Sequence, residues 1–364
     1  MSSSITEILY VSRDVAWLPW AVQYFFLIGL SVCLFLLSLP GLLLGRSDWG
    51  AVGRLALLGA LVCGASAPVA LLADLHQPGR FLNFYLHPQW GSWMAWGAFF
   101  IPLYLAGLFA YAYAALRPAF AAEAGRGGAL APLRRLLGGG ALPGLLRAGA
   151  ALAVLGGALV MLYTGAEVMV VKARPLWNTP VLPLQFLATA MVGALGLLLV
   201  LNRTLGEGDM GVEARLNALL AKALLAVLAL GGVWLALGLT GLSPRHARAL
   251  AEVSGSASWG LTALWAVAAT LVPLGLALGR PAGSGWITGL IALHSAWMFR
   301  WTVFIGGQEV PKTGAGFYQY HLPLGPEGLM GIIGTAGLWL VILLALTTLL
   351  PWSDSRNHAN GWKG

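Results

Sequence analysis

Charged side chains are scarce in this chain. Asp, Glu, Lys and Arg make up 9% of its 364 residues, whereas hydrophobic residues make up 59%. Soluble domains carry roughly 25% charged residues, so this composition excludes a soluble globular protein. The apolar runs are as long as the about 20 helical residues that cross a bilayer. They are apolar on every face and do not alternate in polarity, which excludes an outer-membrane β-barrel.

Cysteine is nearly absent, and so are the motifs of nucleotide and metal sites. Cys33 and Cys63 both fall inside apolar runs, so the chain has neither a disulfide framework nor the cysteine set of an iron–sulfur cluster. It contains no Walker sequence, no H-E-x-x-H and no G-x-G-x-x-G at a strand-to-helix turn. Of the six histidines only His294 lies well inside an apolar segment. The sequence therefore predicts no metal site, no haem and no cluster in this chain.

Glycine, proline and charged residues divide the chain into nine apolar segments. We predict an all-α polytopic membrane protein, a single domain over 1–364, with spans at 15–42, 51–75, 90–116, 146–171, 181–202, 214–240, 257–279, 285–305 and 328–350. The connections on one side carry most of the Lys and Arg residues, so that side is expected to be cytoplasmic, with the N-terminus outside and the C-terminus inside. We expect 117–145 to be a flexible basic cytoplasmic loop and 352–364 a polar tail.

The net charge of +8 does not indicate nucleic acid as a partner, because the basic residues lie between spans, where they fix orientation in the lipid bilayer. The connections on the outer side are rich in aromatic and hydrogen-bonding residues, which we interpret as a docking and binding surface. Anchoring at the membrane interface explains part of the aromatic content. The residues expected to contact a partner protein are Lys172, Arg174, Trp177, Asn178, Gln308 and Lys312.

Glu167 is a charged residue near the outer end of the fourth span, four residues after Tyr163, so both project from one helix face. A charge inside the bilayer costs a few kcal/mol or more, which makes it a functional candidate. The two residues could line one cavity as a phenol donor and a protonatable acceptor. Alternatively, Tyr163 is an interfacial anchor above a Glu that pairs with Lys172 or Arg174.

Further polar groups lie at the same outer depth. Asp74, His76 and Arg80 gather where Pro78 and Gly79 break the second span. An acid beside a His can relay protons, although an ordinary Asp–Arg pair in a turn is the alternative.

Two more pairs lie within spans. Gln23 and Tyr24 on the first span offer hydrogen-bond donors at the depth of Tyr163, unless they bond to a neighbouring helix. His294 and Arg300 on the eighth span are read as interior partners for other helices or as an interior proton path. A lipid-facing site with a few such groups suits small apolar molecules with polar heads, chiefly quinones.

Several segments resemble the NrfD/PsrC-type membrane subunits of respiratory complexes. They are WLPWAVQYFFLIGLS, ADLHQPGRFLNFYLHPQWGSWMAWGAFF, YTGAEVMVVKARPLWNTPVLPLQF and HSAWMFRWTVFIGGQEVPKT. The length is most similar to the longer branch, which includes tetrathionate-reductase-type C subunits. The resemblance implies a haem-free subunit of the bacterial cytoplasmic (inner) membrane that exchanges electrons with menaquinone or ubiquinone near the outer face. It also implies two partners there, a four-cluster ferredoxin-like iron–sulfur subunit and a molybdopterin catalytic subunit.

In the family, polar residues of the first span and a Tyr of the fourth hold the quinone head. The resemblance therefore implies this role for Tyr163 and for Gln23 or Tyr24, and we expect proton transfer through Glu167, Asp74, His76 and Arg80. A proton-coupled secondary transporter is the first alternative, although transporters place binding at the midplane between inverted repeats, and the sequence shows no internal repeat. The second alternative is a redox-inactive structural anchor, which requires neither Tyr163 nor Glu167.

Overall fold

The computed structural model describes residues 15–75, 77–310 and 318–352, and these residues form helices and no strand. The helices are α1 (Pro19–Leu42), α2 (Gly50–Asp74), α3 (Asn83–Leu86), α4 (Trp93–Ala124), α5 (Ala131–Leu137), α6 (Pro143–Met169), α7 (Val181–Thr204), α8 (Met210–Leu239), α9 (Pro244–Ser254), α10 (Ala257–Gly279), α11 (Gly285–Trp301), α12 (Gly307–Glu309) and α13 (Leu329–Leu349). Two 3₁₀ turns, Ser47–Trp49 and Pro78–Arg80, and a π-helical turn, Thr302–Gly306, complete the described elements.

Eight of these helices are long and apolar enough to cross a membrane: α1, α2, α4, α6, α7, α8, α10 and α13. A ninth helical segment is assembled from three pieces. α11 has 17 residues, and the chain continues through the π-helical turn and α12 without leaving helical geometry. The whole segment 285–309 is about 37 Å long at about 1.5 Å per residue, enough to cross the hydrocarbon layer. The predicted polytopic all-α class is confirmed, and eight of the nine predicted spans correspond to these segments within four residues. The third differs, because α4 continues eight residues beyond the predicted end at 116.

α1 lies at the centre of the bundle and contacts α2, α6, α7, α11 and α13. The other extensive helix pairs are α4 with α6, and α7 with α8 and α11. Two serines of α1 bond to tyrosines of α4: Ser31 Oγ lies 2.8 Å from the Tyr104 hydroxyl, and Ser38 Oγ lies 3.1 Å from the Tyr111 hydroxyl. Buried bonds of this kind fix helix positions in lipid, where no hydrophobic force drives one apolar helix against another.

The segment predicted as a flexible basic loop, 117–145, contains regular structure. α4 continues to Ala124, and α5 forms within the segment. Arg134 of α5 pairs with Glu123 of α4 at 3.1 Å, and Arg117 Nε donates to the carbonyl of Gly140 at 3.1 Å. These contacts fold the segment back against the end of α4. Its cytoplasmic location stays a prediction, and 353–364 of the predicted polar tail lies outside the described residues.

Candidate functional site

A cavity of about 610 Å³ lies among α1, α2, α3, α4 and α6. It occupies the end of the bundle where α1, α4 and α7 begin and α2 and α6 end, which we call the site end. Most of its lining is apolar, and the four side chains that bring oxygen atoms to it are Asp74, Tyr85, Tyr163 and Glu167. Ligand pockets of this size commonly combine an apolar lining with a few polar groups that orient the ligand. We call it the tyrosine cavity.

Two tyrosines meet at this cavity. The hydroxyls of Tyr24 on α1 and Tyr163 on α6 lie 2.6 Å apart, and both side chains are buried. Gly97 of α4 makes room for the second ring, because a Cβ at Gly97 would lie 2.5 Å from Cε2 of Tyr163. Only one of the two hydroxyl protons is used between the tyrosines. When Tyr24 donates, the Tyr163 hydroxyl keeps its own proton to donate to a molecule in the cavity.

Two carboxyl groups share this lining. Asp74 ends α2 and accepts a hydrogen bond from the backbone N–H of Leu18 at 3.2 Å, which ties the end of α2 to the start of α1. Glu167 lies one helical turn beyond Tyr163 on α6 and lines the same cavity. A phenol and two carboxyl groups around one cavity can hold, donate and accept protons.

The structure separates other predicted site residues from this cavity. Gln23 is buried and accepts a hydrogen bond from Trp297 Nε1 of α11 at 3.2 Å, on another side of α1. Tyr24, the other first-span candidate, is the residue that reaches Tyr163. Arg80 lines an adjacent cavity of about 480 Å³. His76 lies outside the described residues.

The adjacent cavity holds polar groups beside the tyrosine cavity. Arg80 and His87 line it, and it shares the lining residues Leu75, Phe81, Phe84 and Met94 with the tyrosine cavity. Tyr85, which the sequence pattern did not indicate as a site residue, lines the tyrosine cavity. Its position in an aromatic connection is also typical of interfacial anchoring, so the sequence offers no signal that distinguishes the two roles.

His294 and Arg300 do not face a common path. Arg300 is fully buried, and its Nη2 donates to the carbonyl of Phe186 on α7 at 2.8 Å, while Nη1 donates to the Thr189 hydroxyl. His294 is exposed at the bundle surface, with its ring edge against Trp265 of α10. This separation does not favour a transporter in which both residues couple through one site.

Several residues predicted to dock a partner make contacts within the chain. Arg174 Nη1 lies within 3.3 Å of the carbonyls of Gly307, Gln308 and Val310. These carbonyls end the helical segment 285–309, where backbone acceptors lack intrahelical partners and a cation is favoured. Burial lowers the pKa of Arg174. The guanidinium of Arg174 therefore caps the end of this helical segment through hydrogen bonds within the chain.

Gln308, Trp177 and Asn178 also form hydrogen bonds with the backbone of this chain. Gln308 Oε1 accepts from the N–H groups of Ala16 and Trp17 at 2.8 and 3.1 Å, and its Nε2 donates to the Trp17 carbonyl. Trp177 and Asn178 donate to backbone carbonyls at 2.7 Å. Lys172 is exposed, and Lys312 lies outside the described residues. Among the described members of the predicted docking set, Lys172 thus remains directed to the surface.

Comparison with known proteins agrees with this architecture. The family model described as "Polysulphide reductase, NrfD" matches residues 9–312. The chain belongs to the NrfD polysulphide reductase family. The C subunit of tetrathionate reductase from Salmonella typhimurium is 35% identical over 354 residues, which are 95% of each chain. The C subunit of selenate reductase from Mesobacillus selenatarsenatis is 27% identical over 226 residues, 56% of this NrfD-family chain and 52% of that relative. The resemblance inferred from the sequence segments is confirmed.

Proposed function

We propose that this NrfD-family chain is the quinone-reactive membrane subunit of a multisubunit respiratory reductase. The observation that carries the proposal is the tyrosine cavity, an apolar space of about 610 Å³ at one end of the bundle with a phenol and two carboxyl groups in its lining. Its relatives are named as C subunits of reductases. A lipid-soluble redox carrier with a polar head, menaquinone or ubiquinone, fits this combination of apolar volume and convergent polar groups.

The residues present can hold such a head. Tyr163 would donate to one quinone oxygen, with Tyr24 orienting the hydroxyl from behind. The lining residues Leu72 and Phe109 are 40% and 48% exposed on the bundle surface, so the cavity opens sideways between α2 and α4 towards lipid. An isoprenoid tail can leave by this opening. A bound quinone supplies two-electron, two-proton redox chemistry.

Proton exchange would use the acids of the lining. Asp74 and Glu167 both line the tyrosine cavity, and Asp74 lies at the very end of α2. The adjacent polar cavity with Arg80 and His87 lies against the same lining residues. Protons would therefore be taken from or released to water at the site end, which we expect to be the outer side from the distribution of Lys and Arg.

The electrons would pass to a carrier in another subunit, since the named relatives are C subunits of reductases. We propose an iron–sulfur subunit of the four-cluster ferredoxin type at the site end, followed by a molybdopterin catalytic subunit. Leu86, Trp90 and Leu324 are 68%, 52% and 75% exposed at this end. They give the surface apolar area that a partner could cover.

The test is purification of the intact complex from bacterial cytoplasmic membranes, followed by reduction of its iron–sulfur clusters with a short-chain quinol. We expect the clusters to be reduced, and a quinone-site inhibitor to block the reduction competitively. A complex that contains no iron–sulfur absorbance, or whose clusters do not respond to quinol, would refute the proposal. An inert anchor would give the clusters without the quinol response.

A further inference from the structure

Arg300 of α11 is a buried cation without a carboxylate partner. Its side chain is 1% exposed, and none of the ion pairs seen among the described residues includes it. Its two terminal nitrogens donate to neutral acceptors, the carbonyl of Phe186 and the hydroxyl of Thr189. Its Nε is buried and has no hydrogen-bond partner in the described part of the chain. The described residues thus leave the positive charge of Arg300 without a counter-charge.

A structural role alone does not account for arginine at this position. Arg300 lies nine residues before Glu309, the last residue of the helical segment 285–309, which is about 14 Å from that end. A charge at such a depth is costly, and apolar residues of similar volume often replace buried ions without loss of stability. A neutral donor would be enough to hold α11 against the carbonyl and the hydroxyl of α7. The charge itself therefore needs another explanation.

Arg300 lies behind the aromatic wall of the tyrosine cavity. Its Cζ is 4.4 Å from the ring centroid of Phe186, and that centroid is 6.1 Å from the ring centroid of Phe25. Phe25 lines the tyrosine cavity. A Cβ at Gly29, one turn after Phe25 on the same face of α1, would lie 3.5 Å from Arg300 Nη2. Two buried rings thus separate the guanidinium from the cavity.

Two other arginines at the site end have their charge screened or offset. Arg80 is exposed in the adjacent cavity, where water and salt screen it. Arg174 caps the carbonyls that end the segment 285–309, and their partial negative charge offsets its own. Arg300 bonds to neutral groups and lies against the rings of Phe186 and Phe299. Because buried charges are screened much less than exposed ones, its field extends to the tyrosine cavity.

The chemistry of the proposed function requires a cation near the cavity. A quinone takes up two electrons and two protons to become a quinol, and an iron–sulfur cluster passes electrons one at a time. The quinone head therefore carries negative charge until a proton arrives. Asp74 and Glu167 line the same cavity and disfavour that charge whenever they are ionised. A fixed cation behind the wall has the opposite effect and needs no rearrangement during the reaction.

We propose that Arg300 stabilises negative charge on the quinone head in the tyrosine cavity while electrons pass between the head and the iron–sulfur cluster of the partner subunit. This inference rests on the proposed function. Each electron comes from or goes to the partner's cluster, each proton comes from or goes to the acids of the lining, and Arg300 keeps its own proton. Two unit charges about 10–14 Å apart, at an effective dielectric constant of about 20–40, change an equilibrium constant about 3- to 16-fold.

Two ligands of nearly the same shape test the charge directly in the intact complex. One is a 3-alkyl-2-hydroxy-1,4-naphthoquinone, which is an anion at neutral pH, and the other is its neutral 2-methoxy ether. Their dissociation constants are measured by equilibrium dialysis, with displacement by a short-chain quinol as the criterion for the tyrosine cavity. We expect Arg300→Gln to weaken binding of the anion about 3- to 16-fold and to leave the ether unchanged. Arg300→Lys keeps the charge, and Thr189→Val removes one hydrogen bond of Arg300 without removing the charge, so both should retain the affinity for the anion.

Adding a counter-charge tests the same point with Arg300 in place. Cys33 is buried one turn after Gly29, on the face of α1 that meets Arg300. Cys33→Asp would bring a carboxylate beside the guanidinium, and we expect it to weaken binding of the anion alone. Cys33→Asn is the uncharged control of nearly the same shape and should leave both affinities unchanged.

The outcomes separate this inference from the proposed function. Unchanged affinity for the anion in Arg300→Gln, or equal weakening of both ligands, would overturn the inference and leave the proposed function standing. A wild-type complex that binds neither ligand in competition with quinol would overturn both. If Arg300→Gln does not assemble, Cys33→Asp decides: weaker binding of the anion alone supports the inference, and unchanged binding overturns it.

Discussion

Replacing Tyr163 with Phe would remove one hydroxyl from the tyrosine cavity and leave the ring against Gly97. The substitution is expected to lower both the affinity for quinone and the stability of the fold, and each is measured by its own assay. A quinone oxygen loses a neutral hydrogen bond worth about 0.5–1.5 kcal/mol, which predicts an affinity about 2- to 13-fold weaker. The Tyr24 hydroxyl, which is fully buried, loses the partner 2.6 Å away. An unsatisfied buried hydroxyl costs about 1–3 kcal/mol of folding stability.

The double variant Tyr24→Phe/Tyr163→Phe separates the two losses. Replacing both members of a buried hydrogen-bonded pair with apolar groups of the same shape can be nearly neutral for stability. We therefore expect the double variant to recover most of the stability lost by Tyr163→Phe and none of the quinone affinity. Tyr24→Phe alone should lower stability and affect affinity less, because Tyr163 still reaches the cavity.

The assay combines quinol-dependent reduction of the partner clusters, over a range of quinol concentrations, with thermal unfolding of the purified complex. Tyr111→Phe is the matched control, since Tyr111 is a buried tyrosine bonded to Ser38 outside the tyrosine cavity. It should leave the affinity unchanged. Wild-type quinol affinity in the double variant would refute the reasoning, as would an affinity loss of the same size in Tyr111→Phe.

Three further predictions concern packing, pH and a helix end. Gly97→Ala should displace the Tyr163 ring and weaken quinol binding while the complex still assembles, and a quinol titration measures this. Gly91→Ala is the control, because a Cβ at Gly91 meets no atom within 4 Å. Burial, with a smaller contribution from a neighbouring arginine, lowers the pKa of His246. The unfolded chain therefore takes up a proton at a higher pH than the folded protein does, and stability should fall as the pH drops below the ordinary histidine pKa of about 6.5. His246→Asn should flatten that part of a profile of melting temperature against pH. Arg174→Gln should lower the free energy of unfolding by about 1.5–3 kcal/mol, because a charged donor is lost from the carbonyls that end the segment 285–309; thermal unfolding measures this.

Each of these predictions has a contrary result. Unchanged quinol affinity in Gly97→Ala would mean that the close contact with Tyr163 does not position its hydroxyl. A pH profile that is the same in His246→Asn would assign the acid sensitivity to other groups. For the helix end, Lys172→Gln is the control, since an exposed substitution is expected to stay within about 0.5 kcal/mol, and an equal loss in both variants would contradict the capping role.

The sequence was sufficient to predict the class of fold and the helix face that carries Tyr163 and Glu167. Long apolar runs specify spans, and a four-residue spacing specifies one face, so both features depend on local pattern. The structure places these two residues in the lining of one cavity. The sequence could not tell whether Gln23 or Tyr24 lies near Tyr163, because the two residues are adjacent on α1 and face different helices. Their hydrogen-bond partners, Trp297 and Tyr163, lie far away in the sequence.

The roles of the loop residues could not be predicted for a related reason. Gln308 bonds to the backbone of Trp17 across 291 sequence positions, and Arg174 closes a helix end more than 130 positions away. Polar residues in an aromatic-rich connection look the same in sequence whether they bind a partner or the protein's own backbone.

The π-helical turn Thr302–Gly306 sets the angular phase of the helical residues after it. Each residue of an α-helix advances the chain by about 100°, and the wider π-helical turn accommodates one extra residue. Restoring regular winding while keeping every residue would therefore rotate Gln308 by roughly that angle. The glutamine amide would leave the backbone of Ala16 and Trp17, to which it now bonds. A change of winding far along the chain would thus release Ala16 and Trp17, which precede α1.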